Sequence, residues 1–275
     1  MKNKQYWFSV AKSVAWVAWF IIATLIGGVI TILYKCFTDL DWLYTVNDAL
    51  ESNDIQAYTS AIIEVSIPML IILDVLVIIP FIIISAVKKN DRIIKKPVKN
   101  EALLMITIGV VINIILSVLV VIIPFPESWT EALNSSVDTA VNMPPVFALI
   151  LTGIMAPICE EIVFRYGIFR QLKNINVVFA MIISALAFGV AHLNPIQSSY
   201  AFLIGILAAW IYNKTDNLLD TILIHAGVNF SSTLSVVFNV SEYIFLSIAS
   251  IILIIIFIIR LKKNGAKELK ELFKI

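Results

Sequence analysis

Charged residues are scarce in this 275-residue chain: 14% of it is Asp, Glu, Lys or Arg, whereas 60% is hydrophobic. A soluble domain of this length does not need so much apolar surface, so the composition indicates an integral membrane protein. Cysteine is also scarce. Cys36 and Cys159 stand far apart, and we expect neither a disulfide nor a cysteine-based metal site.

The apolar runs are long enough for about eight membrane-spanning helices. A span needs about 20 apolar residues, and the candidates cover residues 13–34, 60–87, 101–124, 146–172, 176–193, 198–213, 217–238 and 241–260. The first run has no clear small-residue cleavage site, so we interpret it as a retained helix and not as a signal peptide. The predicted fold class is an all-α polytopic membrane protein.

The distribution of charge predicts how these helices are oriented. Lys and Arg cluster at the N-terminus, in residues 88–99, around residues 170–173, at Lys214 and in the tail after residue 259. The segments 37–59 and 125–145 are acidic and contain no Lys or Arg. Basic segments stay in the cytosol, so we expect a multi-pass protein of the cell membrane with both termini cytosolic. Residues 266–275 could form an amphipathic helix on the inner surface.

Ionisable side chains inside a span indicate a functional site by default, because each costs about 2.5–3.5 kcal/mol at the centre of a span. The embedded set is Glu64, Asp74, Glu160, Glu161, Arg165, His192 and His225, with Asp220 near an inner boundary. Glu64 and Asp74 have no pattern around them. We place Glu64 near the outer interface and interpret Asp74 as a packing or cavity residue and Cys159 as a small buried hydrophobe.

The stretch "ICEEIVFRYGIF" carries three of these charges within one apolar run. Glu161 and Arg165 are four residues apart on one helix face and are predicted to form an ion pair. Glu160 points about 100° away and has no such partner. A carboxylate without a cation in an apolar cavity is suited to act as a general base or acid.

Each of the two histidines of the chain lies on a predicted span, four residues from another residue on the same helix face. His192 ends "FGVAH", which begins at Phe188, and His225 begins "HAGVN", which ends at Asn229. Counted from the nearest turn, Glu160 and His192 lie about 21 and 27 Å deep, whereas His225 lies only about 12 Å deep. His225 therefore reaches the other two only if its turn sits deeper in the protein or the helix tilts differ.

Together, "EEIVFR" (160–165), "FGVAH" (188–192) and "HAGVN" (225–229) resemble the CPBP family of intramembrane proteases. That family includes CAAX-processing endopeptidases, bacteriocin-processing and self-immunity proteins, and abortive-infection proteins. Each motif alone is weak, but their order and their placement on separate spans are specific. The resemblance covers roughly residues 146–236.

The resemblance implies a role for each matching residue. Glu160 would activate the attacking water, and Glu161 and Arg165 would support the site. His192, His225 and Asn229 would hold the water, stabilise the oxyanion or ligate a metal, with Phe188 in support.

Glu160, His192 and His225 could form a three-ligand Zn²⁺ site. The same groups could also work without a metal. Asn229 favours the metal-free mechanism, because it is a good oxyanion donor and a poor Zn²⁺ ligand.

The resemblance also implies a division of the chain and a class of partner. We expect a three-span region at 1–125, a catalytic membrane core at 126–240, and a last span with a basic tail at 241–275. The partners would be the lipid bilayer and a membrane-associated peptide or lipidated protein, and we expect no nucleic acid. A prenylated protein, a bacteriocin leader and another membrane peptide all remain open as substrates.

Other classes of function fit the sequence less well. The chain has no His-Glu-x-x-His, no Gly-x-Ser-x-Gly and no obvious pair of intramembrane aspartates. A non-proteolytic immunity or scaffold protein on the same fold is one alternative, although every motif residue is retained. A small ion-coupled transporter is another, but no pair of Gly/Pro-broken repeats supports it.

Overall fold

The computed structural model describes residues 2–87, 93–95 and 99–241, with 244, 247–248, 250–256 and 258–259. Within these residues the chain forms helices and no strand, which confirms the all-α membrane fold. The helices are α1 (Lys2–Thr38), α2 (Leu40–Ser52), α3 (Ile55–Val87), α4 (Lys99–Ile122), α5 (Glu127–Asn142), α6 (Pro145–Leu172), α7 (Val177–Ala191), α8 (Pro195–Thr215) and α9 (Leu218–Phe238). Residues 250–256 are also helical.

Six of the described helices are long and apolar enough to cross a membrane: α1, α3, α4, α6, α8 and α9. The predicted span at 176–193 is the shorter helix α7, which has 15 residues. It ends early because Leu193 adopts a left-handed conformation (φ 54°) and Asn194 already caps α8. The predicted span 241–260 lies partly, and the amphipathic segment 266–275 wholly, outside the described residues.

The two acidic segments, which contain no predicted span, contain the helices α2 and α5. The side chain of Asp39 caps α2 by accepting a hydrogen bond from the backbone N–H of Trp42. This bond and the contact with Lys35 lower the pKa of Asp39. No residue of α5 is buried, so a plain hydropathy pattern could not distinguish this helix from a solvated loop.

A cluster of polar residues joins three chain segments at the basic end of the helix bundle. The Nζ of Lys173 lies 3.1 Å from Asp216, and the Nζ of Lys95 lies 3.6 Å from the same carboxylate. Burial alone raises the pKa of Asp216, but the hydrogen bond and charge of Lys173 outweigh it and the pKa is lowered. The backbone N–H of Leu218 donates to the carbonyl of Ile93 at 3.0 Å. These contacts fix the start of α9 beside the 93–95 segment.

Helices α4 and α9 cross at two glycines, where their backbones approach closely. A Cβ added at Gly109 would lie 2.0 Å from the carbonyl oxygen of Ile224, and one at Gly227 would lie 2.3 Å from that of Ile106. Small residues allow membrane helices to pack in this way. Gly227 lies between His225 and Asn229, so this crossing sets the position of the "HAGVN" motif.

Candidate active site

Helix α6 is irregular around the residues that the sequence singles out. Two π-helical segments, Leu151–Met155 and Ile162–Phe169, flank the α-helical turn Ala156–Glu161. In the first segment the N–H of Ala156 donates to the carbonyl of Leu151, five residues back. In that register the carbonyl of Thr152 would pair with residue 157, which is a proline without an N–H. The carbonyl of Thr152 is therefore free to accept a bond from another helix.

The side chain of Asn229 on α9 forms a hydrogen bond with that free carbonyl. Its Nδ2 donates to the carbonyl oxygen of Thr152 at 3.0 Å. The hydroxyls of Thr152 and Thr233, one turn further along α9, lie 2.9 Å apart. Because an amide carries two N–H donors, one donor of Asn229 remains for a ligand. Thr152 was not predicted from the sequence. Pro157, five residues after it, could have indicated it, because a proline has no N–H to donate to the Thr152 carbonyl.

The predicted pairing of Glu161 and Arg165 is present and fully buried. The Nε of Arg165 lies 3.1 Å from Oε2 of Glu161, and both side chains are 0% exposed. The two atoms are close enough for an ion pair, but they are not aligned as a hydrogen bond. The guanidinium also lies 4.5 Å from the ring centroid of Phe188, within cation–π range.

His225 lies between the two glutamates of the motif. Its Nδ1 is 3.0 Å from Oε1 of Glu161, and its Nε2 is 3.5 Å from Oε2 of Glu160. The side chain of Glu160 is 22% exposed, whereas that of His225 is 3% exposed and that of Glu161 is fully buried. Glu160 is thus the acid of this group that a ligand can reach.

The expected difference in depth between His225 and Glu160 does not keep them apart. That estimate assumed 1.5 Å of rise for every residue. The π-helical segment Ile162–Phe169 lies between Glu160 and its turn, and bonding from i to i+5 places more residues in each turn. Glu160 therefore lies nearer to the turn than a regular helix would place it, which removes part of the expected difference, and the packing of α6 against α9 brings His225 to it.

Phe188 lies at the centre of the aromatic contacts and touches both histidine rings. Its ring centroid is 4.9 Å from that of His192 and 5.3 Å from that of His225, both edge-on. The Nδ1 of His192 lies 2.9 Å from the carbonyl of Phe188. Within the described residues, no ion pair or hydrogen bond joins His192 to Glu160 or His225. The structure thus gathers Glu160, Glu161, Arg165 and His225 directly, and places His192 beside them through Phe188.

The hydrogen-bond partners assign a tautomer to each histidine. A backbone carbonyl can only accept, so Nδ1 of His192 must carry its hydrogen. The same holds for His225 if Glu161 is an ionised carboxylate. In the neutral form, both rings then present the lone pair of Nε2. Either one can donate a hydrogen bond to an oxyanion only when it is protonated, whereas Asn229 can donate in any state.

The donor set does not match a zinc site. In the described part of the chain, no three His, Cys, Asp or Glu side chains are close enough to hold a metal ion. The Nε2 of His225 faces Glu160, but in the described residues no hydrogen bond or ion pair brings His192 to either of them. We therefore derive no chemical step through a metal.

Two further acids of the membrane-embedded set lie in different surroundings. Asp74 on α3 is 4% exposed and lies against the thiol of Cys159, next to Glu160 in the chain. Glu64 forms an ion pair with Lys35 at the end of the bundle that carries α2. Asp74 thus borders the site, which suits a packing or cavity residue. Glu64 lies away from the site.

Comparisons with known proteins bear on the region that carries these residues. Residues 142–231 match the family described as "Type II CAAX prenyl endopeptidase Rce1-like". The UPF0177 protein YxdF of Lactococcus lactis subsp. lactis (strain IL1403) is 29% identical over 118 residues, which are 42% of this chain and 65% of that protein. The UPF0177 protein YbdI of the same strain is 30% identical over 100 residues, which are 36% of this chain and 53% of that protein.

Both matches span less than two thirds of the relatives' own length. No solved structure matches the chain. The matched region 142–231 runs from the end of α5 into α9, and it contains Glu160, Glu161, Arg165, Phe188, His192, His225 and Asn229. The chain is therefore similar over residues 142–231 to the type II CAAX prenyl endopeptidases, and its resemblance to the CPBP family of intramembrane proteases is confirmed.

Proposed function

We propose that this protein is an intramembrane endopeptidase that hydrolyses a peptide bond of a membrane-associated peptide or lipidated protein. The observation that carries the proposal is the position of His225 between Glu160 and Glu161, inside the region similar to CAAX endopeptidases. Glu160 is the reachable acid of this group. The site lies among membrane-spanning helices, so the substrate is one that enters from lipid or from a membrane face.

In the proposed reaction Glu160 accepts a proton from a water molecule. The water oxygen forms a bond to the carbonyl carbon of the substrate, and the electron pair of the C=O π bond moves to the carbonyl oxygen. When the carbonyl reforms, the C–N bond breaks and Glu160 returns the proton to the leaving amine. The atoms balance with water as the sole co-reactant.

The remaining polar residues stabilise the charges of this reaction. The second Nδ2 hydrogen of Asn229 donates to the developing oxyanion, and its bond to Thr152 holds the amide in place. Glu161 orients His225 as a buried carboxylate orients a catalytic histidine. His225 and His192 donate to the oxyanion when protonated, and Arg165 balances the charge of Glu161.

Cleavage of candidate peptides by the purified protein tests the proposal. Glu160→Gln should lower the rate by about 10²–10⁴-fold, which is the usual contribution of a general base. Glu131→Gln is the matched control, because Glu131 is an exposed acid of α5. An undiminished rate in Glu160→Gln would contradict the mechanism. If the wild-type protein cleaves no peptide at all, the result would favour a scaffold or a transporter instead.

Metal dependence is tested on the same preparation. Since the donor set does not match a zinc site, activity should survive a strong chelator, and metal analysis should find less than one equivalent. Loss of activity on chelation, with recovery on adding Zn²⁺, would overturn the metal-free form of the proposal and would leave the peptidase activity itself established.

A further inference from the structure

A cavity lies between α1 and α3, away from the candidate active site, with a volume of about 340 Å³. It is lined by Lys12, Ala15, Trp16, Trp19, Pro80 and Ile84. The α1 residues recur at intervals of three and four, so they share one face of that helix. Apart from the ammonium of Lys12, the lining side chains are apolar or aromatic. The cavity thus combines an apolar groove with one cation.

A proline in α3 makes the groove both rigid and apolar. Pro80 has no N–H to donate to the carbonyl of Leu76, four residues back. The indole Nε1 of Trp19 donates to that carbonyl instead, at 2.8 Å. This bond fixes the Trp19 ring and satisfies its polar atom, so the ring offers its apolar face to the cavity.

Trp16 forms another fixed wall, because it packs on the helix of the candidate site. A Cβ at position 167 would lie 2.6 Å from Cγ of Trp16, so only glycine allows this contact. The Trp16 ring also meets Tyr166 edge-on, with centroids 5.6 Å apart. The groove is therefore formed before any ligand binds.

The groove lies near the basic end of the bundle. Helix α1 has 37 residues, about 55 Å in length, whereas the hydrocarbon core is about 30 Å thick. The N-terminal part of α1 contacts the last turn of α6, which contains Arg170 and is followed by Lys173. Tryptophans are enriched at the membrane–water interface. Trp16 and Trp19 are thus placed where lipid head groups and the first carbons of their chains meet a protein.

Lys12 has a positive charge that the described residues do not neutralise. Its Nζ lies 4.2 Å from the ring centroid of Phe8, and within the described part of the chain no carboxylate forms an ion pair with it. A phosphate oxygen could accept from this ammonium. We propose that the groove binds one anionic phospholipid, with an acyl chain between α1 and α3 and its phosphate at Lys12.

Lipid retention tests the proposal on the full-length protein. Delipidated protein in detergent is incubated with phosphatidylglycerol or phosphatidylcholine of the same chains, and bound lipid is counted by native mass spectrometry. We expect about a fivefold preference for phosphatidylglycerol, which corresponds to about 1 kcal/mol for one lysine. Lys12→Gln should abolish the preference, and Lys4→Gln, an exposed lysine outside the groove, should keep it.

A second pair of variants tests the groove itself without changing charge. Ala15→Phe fills the cavity and should lower retention of both lipids, whereas Ala18→Phe, on an exposed face of α1 outside the cavity, should not. Equal retention of the two lipids by the wild type would overturn the proposal. So would a preference that survives Lys12→Gln, retention of both lipids that is unchanged in Ala15→Phe, or displacement of the bound lipid by inorganic phosphate alone. Glu160→Gln should retain lipid normally, so failure here is separable from failure of the proposed peptidase.

Discussion

At the scale of single residues, the pair of Glu161 and Arg165 places two charges where no solvent reaches them. Removing one partner of a buried pair typically costs about 3–5 kcal/mol, because the other charge stays buried. Arg165→Met should therefore lower the thermal stability of the protein markedly. Glu161→Gln combined with Arg165→Met should recover part of the loss, because the double variant buries no single charge.

The exposed ion pair of Lys35 and Glu64 provides the control for that experiment, since the Glu64 side chain is 55% exposed. Exposed pairs contribute about 0–1 kcal/mol, so Lys35→Met, which also removes the partly exposed pair with Asp39, should have a small effect on the unfolding temperature. If Arg165→Met were as mild as Lys35→Met, the buried pair would not have the structural role assigned to it.

Sequence reasoning predicts the residue-scale contacts that follow helix spacing and misses those that do not. The i to i+4 rule gives the pairing of Glu161 with Arg165 and the contact of Phe188 with His192. It leaves Glu160 without a partner, whereas the structure places Glu160 beside His225. That contact depends on how α6 packs against α9, which spacing along the chain does not encode. The catalytic roles of these residues remain predictions.

At the scale of helices, the crossing of α4 and α9 depends on two glycines from different parts of the chain. Gly227→Val would force a side chain against the carbonyl of Ile106, and Gly109→Val against that of Ile224. Overpacking costs typically about 1–3 kcal/mol and can cost more. Each variant should lower the unfolding temperature, and Gly227→Val should also reduce the proposed peptidase activity by moving His225 and Asn229.

Gly28 on α1 is the matched control for these variants. A Cβ there would meet only the sulfur of Met69, at an ordinary distance of 3.8 Å. Gly28→Val should therefore be tolerated. An equal loss of stability in all three variants would show that the cost comes from changing a glycine within a membrane helix and not from the crossing.

The helices also show where hydropathy loses its predictive power. The long apolar runs predict α1, α3, α4, α6, α8 and α9, because a span must be apolar along its whole length. Helices α2 and α5 lie in acidic segments and were not predicted. The two π-helical segments of α6 were not predicted either, although Pro157 lies just after the first of them.

At the scale of the whole molecule, the region similar to CAAX endopeptidases is braced by helices outside it. Trp16 of α1 packs on Gly167, and Gly109 of α4 packs on α9. Asp74 of α3 lies against Cys159. The division at residues 125 and 240 remains a prediction, and these contacts indicate that the N-terminal helices help to hold the site.

The orientation of the bundle in the membrane is also still a prediction, and two single cysteines can test it. Ser52→Cys at the end of α2 and Asn174→Cys in the turn after α6 are both exposed. They lie at the acidic and basic ends of the bundle, respectively. Because basic segments stay in the cytosol, the basic end should face the cytosol.

In a Cys36→Ser background, a membrane-impermeant maleimide should label position 52 in intact cells. It should label position 174 only after lysis, since Cys159 is buried. The reverse pattern would place the termini outside the cell and would mean that the charges of Lys95, Lys173 and Lys214 do not determine the topology.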